Sequence, residues 1–363
     1  MKILVIQLQK IGDVLTSSIL CDNLRKIYPA ARIDFLCYEN CAAILNGNPY
    51  IDEVVTLSKE VKNSYPKFWK FIKNIRKRKY DAVIDAYSKI GSNLITYFSK
   101  ARYRTSFDKP YSRIFYTHNI KRLGKKDSVK NGHAIDNRLM LLQPLVKQPL
   151  TEIRPRIHLL NEEREKAQAL LERYHISGSD KPLVMFGVIG SEWYKTFPLK
   201  KMASIIDFTV SRLDANIIFN YLPMQKDEAY AVYNYCNETT KKHIYFDLYA
   251  DDLRVFLALL DRCDMLVGNE GGAVNMAKAL NVPTFSIFSP STDKESWQLF
   301  EDKRNLSVHL KDIKPEIYGR YDEKHIKKNT FAYFEEYPMD LIFDMLEQFF
   351  INAGCNPKKE EKV

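Results

Sequence analysis

The chain is expected to fold as an α/β protein on parallel sheets, in two successive halves. Three features predict this. Short apolar runs alternate with amphipathic helical stretches, first over residues 3–84 and again over 182–288. A length of 363 residues suits two domains, each able to bury its own core. Charge divides along the same line: residues 1–150 hold 27 Lys and Arg against 12 Asp and Glu, a net +15, while the remainder holds 28 against 33, a net −5. A basic half and a mildly acidic half point to different partners. The basic one suits phosphorylated lipid, a membrane surface or nucleic acid.

Taken in order, residues 3–6 form a wholly apolar run, as a central parallel strand requires. Residues 7–11 make a loop, and Gly12-Asp13 leads into a helix reaching about Ile27, which Tyr28-Pro29 ends. Strands follow at 33–37 and 53–57, with a turn at 46–49 between them. Ser64-Tyr65-Pro66 opens another helix, with proline near its first position, and 81–84 is again a strand. Residues 67–79 interleave Phe68, Trp69, Phe71, Ile72 and Ile75 with seven Lys and Arg. Such a stretch either touches an anionic membrane or covers the sheet and leaves its lysines in water. A second basic zone, 100–130, interleaves Tyr103, Phe107, Tyr111, Phe115 and Tyr116 and is expected as a mobile loop region on the acceptor side. It carries no nucleic-acid-binding signature.

Residues 133–145 read as a helix, 151–158 as an extended connector and 162–174 as a helix. A new α/β series then begins, with strands at 182–186, 216–220 and 243–246. The helix at 253–263 leads to a strand at 265–267, a glycine turn at Gly271-Gly272, a short helix, and a strand at 284–288. Residues 339–351 make an amphipathic closing helix, suited to packing on a domain, and 358–363 a charged, frayed tail. Six cysteines show no framework and no zinc-ligand spacing, as for reduced thiols in the cytosol. The apolar run at the N-terminus is too short for a signal peptide, and no run reaches the length of a membrane span.

Three constellations bear on chemistry. Lys10-Ile11-Gly12-Asp13 sits where the first strand hands over to its helix, the position at which open α/β sheets bind ligands. Asp13 can take a proton from an incoming hydroxyl; the plainer reading is that it caps its helix. Gly190-Ser191 and Lys195-Thr196 follow the first strand of the second half. The loop is superficially similar to a P-loop but lacks glycine before the lysine, leaving a diphosphate-binding loop or a solvated surface lysine. Glu270-Gly271-Gly272 opens the short helix with bare backbone, whose N–H groups and dipole favour a phosphate.

As an ordered set, Gly12-Asp13-Val14-Leu15, the Gly190…Lys195-Thr196-Phe197-Pro198 loop and Gly268-Asn269-Glu270-Gly271-Gly272…Phe288-Ser289-Pro290 resemble the heptosyltransferases of glycosyltransferase family 9. Segments 46–55 and 80–85 are similar to that family's first domain. The resemblance implies a GT-B fold, two Rossmann-like domains facing across a cleft. It places an acceptor-binding domain at 1–160, a nucleotide-sugar-binding domain at 178–338, and a closing helix and tail at 339–363, for which it suggests a return to the first domain, as such chains commonly make. It implies inverting transfer of a heptose or related sugar to a lipopolysaccharide-core or similar surface-glycan acceptor, without metal or other cofactor. Asp13 matches the general base and Lys195 the residue that neutralises the leaving diphosphate. Gly190, Ser191, Thr196, Glu270, Gly271, Gly272 and Asn275 fall on the donor side, and Lys10 and Gly12 on the acceptor side. Expected partners are a nucleotide-sugar, such as ADP-heptose, and a phosphorylated lipid-linked saccharide at the inner face of the membrane, where a cytoplasmic protein would sit peripherally; no nucleic acid is expected. The family's usual Asp-Thr/Ser-Gly-Pro…His is here Glu270-Gly271-Gly272-Ala273…Asn275, and Phe197 replaces a Trp, so the donor sugar stays open. A nucleotide-sugar epimerase and a non-catalytic nucleotide-sugar-binding protein remain as alternatives.

Overall fold

A computed structural model describes residues 1–124, 127–250 and 252–357; the charged tail expected at 358–363 lies outside them. The chain divides into two compact units, Met1–His158 with Glu295–Leu299, and Leu159–Lys294 with Phe300–Val363.

The first unit is built on six parallel strands: β1 (Lys2–Ile6), β2 (Arg32–Tyr38), β3 (Glu53–Leu57), β4 (Ala82–Asp85), β5 (Tyr103–Phe107) and β6 (His118–Ile120). Their order is β3-β2-β1-β4-β5-β6. The apolar runs at residues 3–6 and 82–84 sit in the middle and are fully buried, as the sheet's two covered faces require. The zone at 100–130, expected as a mobile loop, instead supplies β5 and β6. Thr105 and Ser106 are completely buried, and the Ser106 hydroxyl donates to the Asp85 carbonyl at 2.7 Å. These strands are too polar to show an apolar run; backbone pairing to β4 and the Ser106 hydrogen bond hold them instead.

The second unit carries β7 (Leu183–Gly187), β8 (Asn216–Asn220), β9 (Met265–Asn269), β10 (Thr284–Ile287) and β11 (Asn305–Val308), all parallel, in the order β11-β10-β9-β7-β8. The strand expected at 243–246 is reduced to one parallel bridge, Ile217 to Ile244. The Phe246 ring leaves the ladder to pack against Tyr221 and Tyr230, with centroids 5.6 and 5.4 Å away. The closing helix, Met339–Asn352, stays with the second unit. It buries Ile342, Leu346, Phe349 and Phe350 in that unit's core, and Phe343 stacks on Phe208 at 4.5 Å. That apolar stripe, rather than a return to the first domain, sets its place.

In each sheet the strand order reverses at one point, between β1 and β4 and between β7 and β9. Helices leave for opposite faces there, opening a crevice at the carboxyl ends of the strands.

Candidate active site

Every residue singled out from the sequence lies in a segment leaving one of these two reversal points. In the first unit, β1 ends at Ile6 and the chain turns through Lys10, at φ 64°, into the helix Ile11–Ile27. A positive φ at a non-glycine residue is strained, and it directs the chain into the helix beside Asp13. Asp13 is not the cap. The helix begins two residues earlier, no side chain caps it, and the Asp13 carboxylate goes to Arg138 at 2.6 Å. Arg138, on the helix His133–Met140, also donates to the Ser17 hydroxyl at 2.9 Å and to the Ala134 carbonyl. Burial lowers the pKa of this guanidinium, and the Asp13 charge opposes the drop. Arg138 was not legible in the sequence as a site residue: it stands 125 positions from Asp13 and belongs to no motif.

Across the reversal point, β4 ends at Asp85, whose carboxylate accepts from the backbone N–H groups of Tyr87 and Ser88 at 2.9 and 2.8 Å and from the Tyr116 hydroxyl at 2.7 Å. Complete burial pushes Asp85 upward against these bonds. Its work is to fold the 86–88 turn. Tyr87, on that turn, is pushed up to about 12 by burial, by Tyr38 and by the Asp85 and Asp13 carboxylates, so its phenol stands in the field of the candidate base.

In the second unit, β7 and β9 approach so closely that only glycine fits. Gly187 pairs with Gly268, which has φ 145°, and a Cβ on Gly268 would lie 2.4 Å from the Gly187 carbonyl oxygen. Gly190 is equally constrained, since a Cβ there would meet the Lys195 carbonyl oxygen at 2.4 Å. The loop is thereby folded back on itself. Thr196 keeps its hydroxyl inside it, accepting from the Gly190 N–H at 3.1 Å. Asn269 ties the loop to the strands, accepting from the Phe197 N–H at 2.7 Å and donating to the Gly187 carbonyl at 2.9 Å. Gln225 donates to the Gly190 carbonyl at 2.7 Å. Phe197 is a core residue, packed on Phe334 and Tyr337. Ser191 is exposed.

This folding brings together Lys195 and Glu270, 75 residues apart in sequence. The Lys195 ammonium sits 2.7 Å from the Glu270 carboxylate, which also accepts from the Thr292 hydroxyl at 2.8 Å. Gly271, at φ 155°, precedes the helix Gly272–Ala279, on whose first turns Gly272 and Asn275 lie. The N–H groups opening that helix have no acceptor within it. A lysine paired to a carboxylate, a loop folded back at Gly190 and a helix N-terminus thus lie at one reversal point, the kinds of group from which phosphate sites are built. Among the described residues, no group of three or more His, Cys, Asp or Glu is placed to hold a metal ion.

Two parallel-sheet units, one presenting a carboxylate and the other a lysine with phosphate-type backbone, define an enzyme of the GT-B fold class. A family model described as glycosyltransferase family 9 (heptosyltransferase) matches residues 68–319. The lipopolysaccharide heptosyltransferase 3 of Escherichia coli is 24% identical over 302 residues, covering 79% of this chain and 83% of its own. Among solved structures, a family 9 glycosyltransferase from Veillonella parvula aligns at TM-score 0.74 with 19% identity, covering 93% of this chain and 97% of its own. The E. coli ADP-heptose lipopolysaccharide heptosyltransferase II aligns at TM-score 0.66 with 18% identity, covering 93% and 99%. The chain belongs to glycosyltransferase family 9 and is a glycosyltransferase.

Proposed function

We propose that this enzyme transfers a heptose from ADP-heptose to a phosphorylated saccharide of the lipopolysaccharide core, with inversion and without a metal, at the cytoplasmic face of the membrane. Asp13 takes the proton of the acceptor hydroxyl as its oxygen forms the new bond to the anomeric carbon. The bond from that carbon to the diphosphate breaks on the opposite face, and the ADP leaves with the electron pair. Lys195 and the Gly271-Gly272 helix start meet the charge that develops on it. Arg138 holds one oxygen of Asp13, which fixes the carboxylate's orientation for the hydroxyl.

The observation that carries this reading is the placement of Asp13 and Lys195 at the two sheet reversal points, each with a buried charged partner, Arg138 and Glu270. The names of the E. coli relatives supply the donor and acceptor classes. The test is a thermal-shift panel of ADP-, GDP-, UDP- and dTDP-sugars, followed by ADP release with and without chelator. ADP-sugars alone are expected to raise the melting temperature. Asp13→Asn is expected to keep that shift while losing turnover by roughly a hundredfold or more. A shift with another nucleotide class, or turnover surviving Asp13→Asn, would overturn the assignment.

A further inference from the structure

A cavity of about 830 Å³ opens in the first unit, over the carboxyl ends of its strands. Its lining includes Tyr65, Trp69, Ile90 and Tyr111, which are 84, 40, 73 and 63% exposed. Ile114, three residues beyond Tyr111, is also exposed. Large apolar side chains so concentrated are unfavourable in water and mark an interaction surface. Three lysines at the same cavity each lie over a tyrosine ring: Lys62 over Tyr38 at 5.0 Å, Lys89 over Tyr87 at 5.1 Å and Lys109 over Tyr111 at 5.9 Å. No acidic side chain is among the described lining residues.

The helix Tyr65–Lys77 borders this cavity and carries Lys67, Lys70, Lys73, Arg76 and Lys77 with no acidic residue. It buries Ile72 and Ile75 against the sheet, and Trp69 packs edge-on to Phe98. The sheet-covering reading of this stretch holds for its inner face, where the isoleucines are buried, while Tyr65, Trp69 and the lysines remain outside. Aromatic rings and aliphatic tips interleaved with lysines match the interface of an anionic bilayer, where rings sit at headgroup level and ammonium groups reach phosphates.

We propose that this face docks onto an anionic lipid bilayer, with Tyr65, Trp69, Ile90 and Tyr111 entering the headgroup layer and Lys62, Lys89 and Lys109 on lipid phosphates. The cavity mouth then lies at the membrane surface, so a lipid-linked acceptor reaches the strand ends near Asp13 without leaving the bilayer. The proposal rests on the reading of the acceptor as lipid-linked. Each lysine near such a surface strengthens binding about fivefold, screened by salt.

The experiment uses the full chain with Trp193→Phe and Trp297→Phe, leaving Trp69 as the single tryptophan. Vesicles of phosphatidylcholine, alone or mixed with phosphatidylglycerol, are prepared with brominated acyl chains. Binding to the phosphatidylglycerol vesicles alone is expected, reversed by salt, with Trp69 emission quenched. Tyr65→Ser with Ile90→Ser and Tyr111→Ser lowers partitioning about tenfold or more, and so does Lys62→Glu with Lys89→Glu; an unchanged circular dichroism spectrum and an unchanged number of thermal unfolding transitions check that both variants fold. Absence of phosphatidylglycerol-dependent binding, an unquenched Trp69, or full binding by both variants would overturn the proposal. A Trp69 response to soluble dextran sulfate but not to vesicles would also overturn it, in favour of a saccharide site. Vesicle binding needs neither donor nor turnover, so its failure leaves the transfer reading standing.

Discussion

Glu270→Gln tests how the donor gains access to Lys195. Before donor binds, the ammonium is held at 2.7 Å by a carboxylate only 7% exposed, while the lysine side chain is 23% exposed. At an effective dielectric near 20, the attraction of such a pair is roughly 6 kcal/mol gross. Desolvation of both groups and solvent at the lysine reduce the net to about 1–2 kcal/mol, between the surface and buried limits. A diphosphate must draw Lys195 from this partner or bind beside an uncompensated carboxylate. Glutamine keeps the length and still accepts from Thr292, but removes the competing charge. Nucleoside diphosphate binding is therefore expected to tighten by about 5- to 30-fold, with the gain shrinking as salt is raised. Titration calorimetry of ADP at two ionic strengths reads this directly. The double variant Glu270→Gln with Lys195→Gln should lose the gain, because no ammonium is left to release. Unchanged or weaker ADP binding by Glu270→Gln would refute the argument and make Glu270 a guide that holds Lys195 toward the phosphate.

Two further outcomes follow from buried charge. Arg138→Gln removes the hydrogen-bonded partner of Asp13, whose carboxylate is 22% exposed and keeps the attraction of Arg122; the denaturant midpoint should fall by the equivalent of about 1–3 kcal/mol. Turnover at saturating donor should drop with donor KM unchanged, and Arg138→Lys should recover part of it. Asp22, in the helix Ile11–Ile27, is raised from 3.8 to about 7 by burial and by the Glu152 carboxylate. The folded state then holds a proton that the unfolded state releases, so between pH 4 and 7 stability falls as pH rises, by up to roughly 4 kcal/mol. Asp22→Asn should flatten that slope and raise the melting temperature at pH 7.5 more than at pH 4.5; an unchanged slope in thermal melts would refute it.

The apolar runs at 3–6 and 265–267, the proline that opens the helix Tyr65–Lys77 and the glycines after β9 were legible in sequence because each expresses a local rule. A buried parallel strand must be apolar, proline fits a first helical turn, and a tight turn at a positive φ such as that of Gly271 favours glycine. These rules gave the α/β class, the alternation of elements, and the positions of Asp13, Lys195 and Gly271-Gly272. They failed at β5 and β6, whose Thr105 and Ser106 are buried by neighbours rather than by their own hydrophobicity. At 243–246 they failed the other way, since β-forming side chains joined an aromatic cluster beside β8 after a single bridge.

Only the tertiary structure could decide which charges meet. Arg138 reaches Asp13 across 125 residues, Asn269 anchors the Lys195 loop across 72, and Glu270 with Thr292 holds the lysine that a phosphate would take. No periodicity or spacing encodes such pairs. They exist because two sheets reverse their strand order at one point each, bringing loops from distant parts of the chain to the same strand ends.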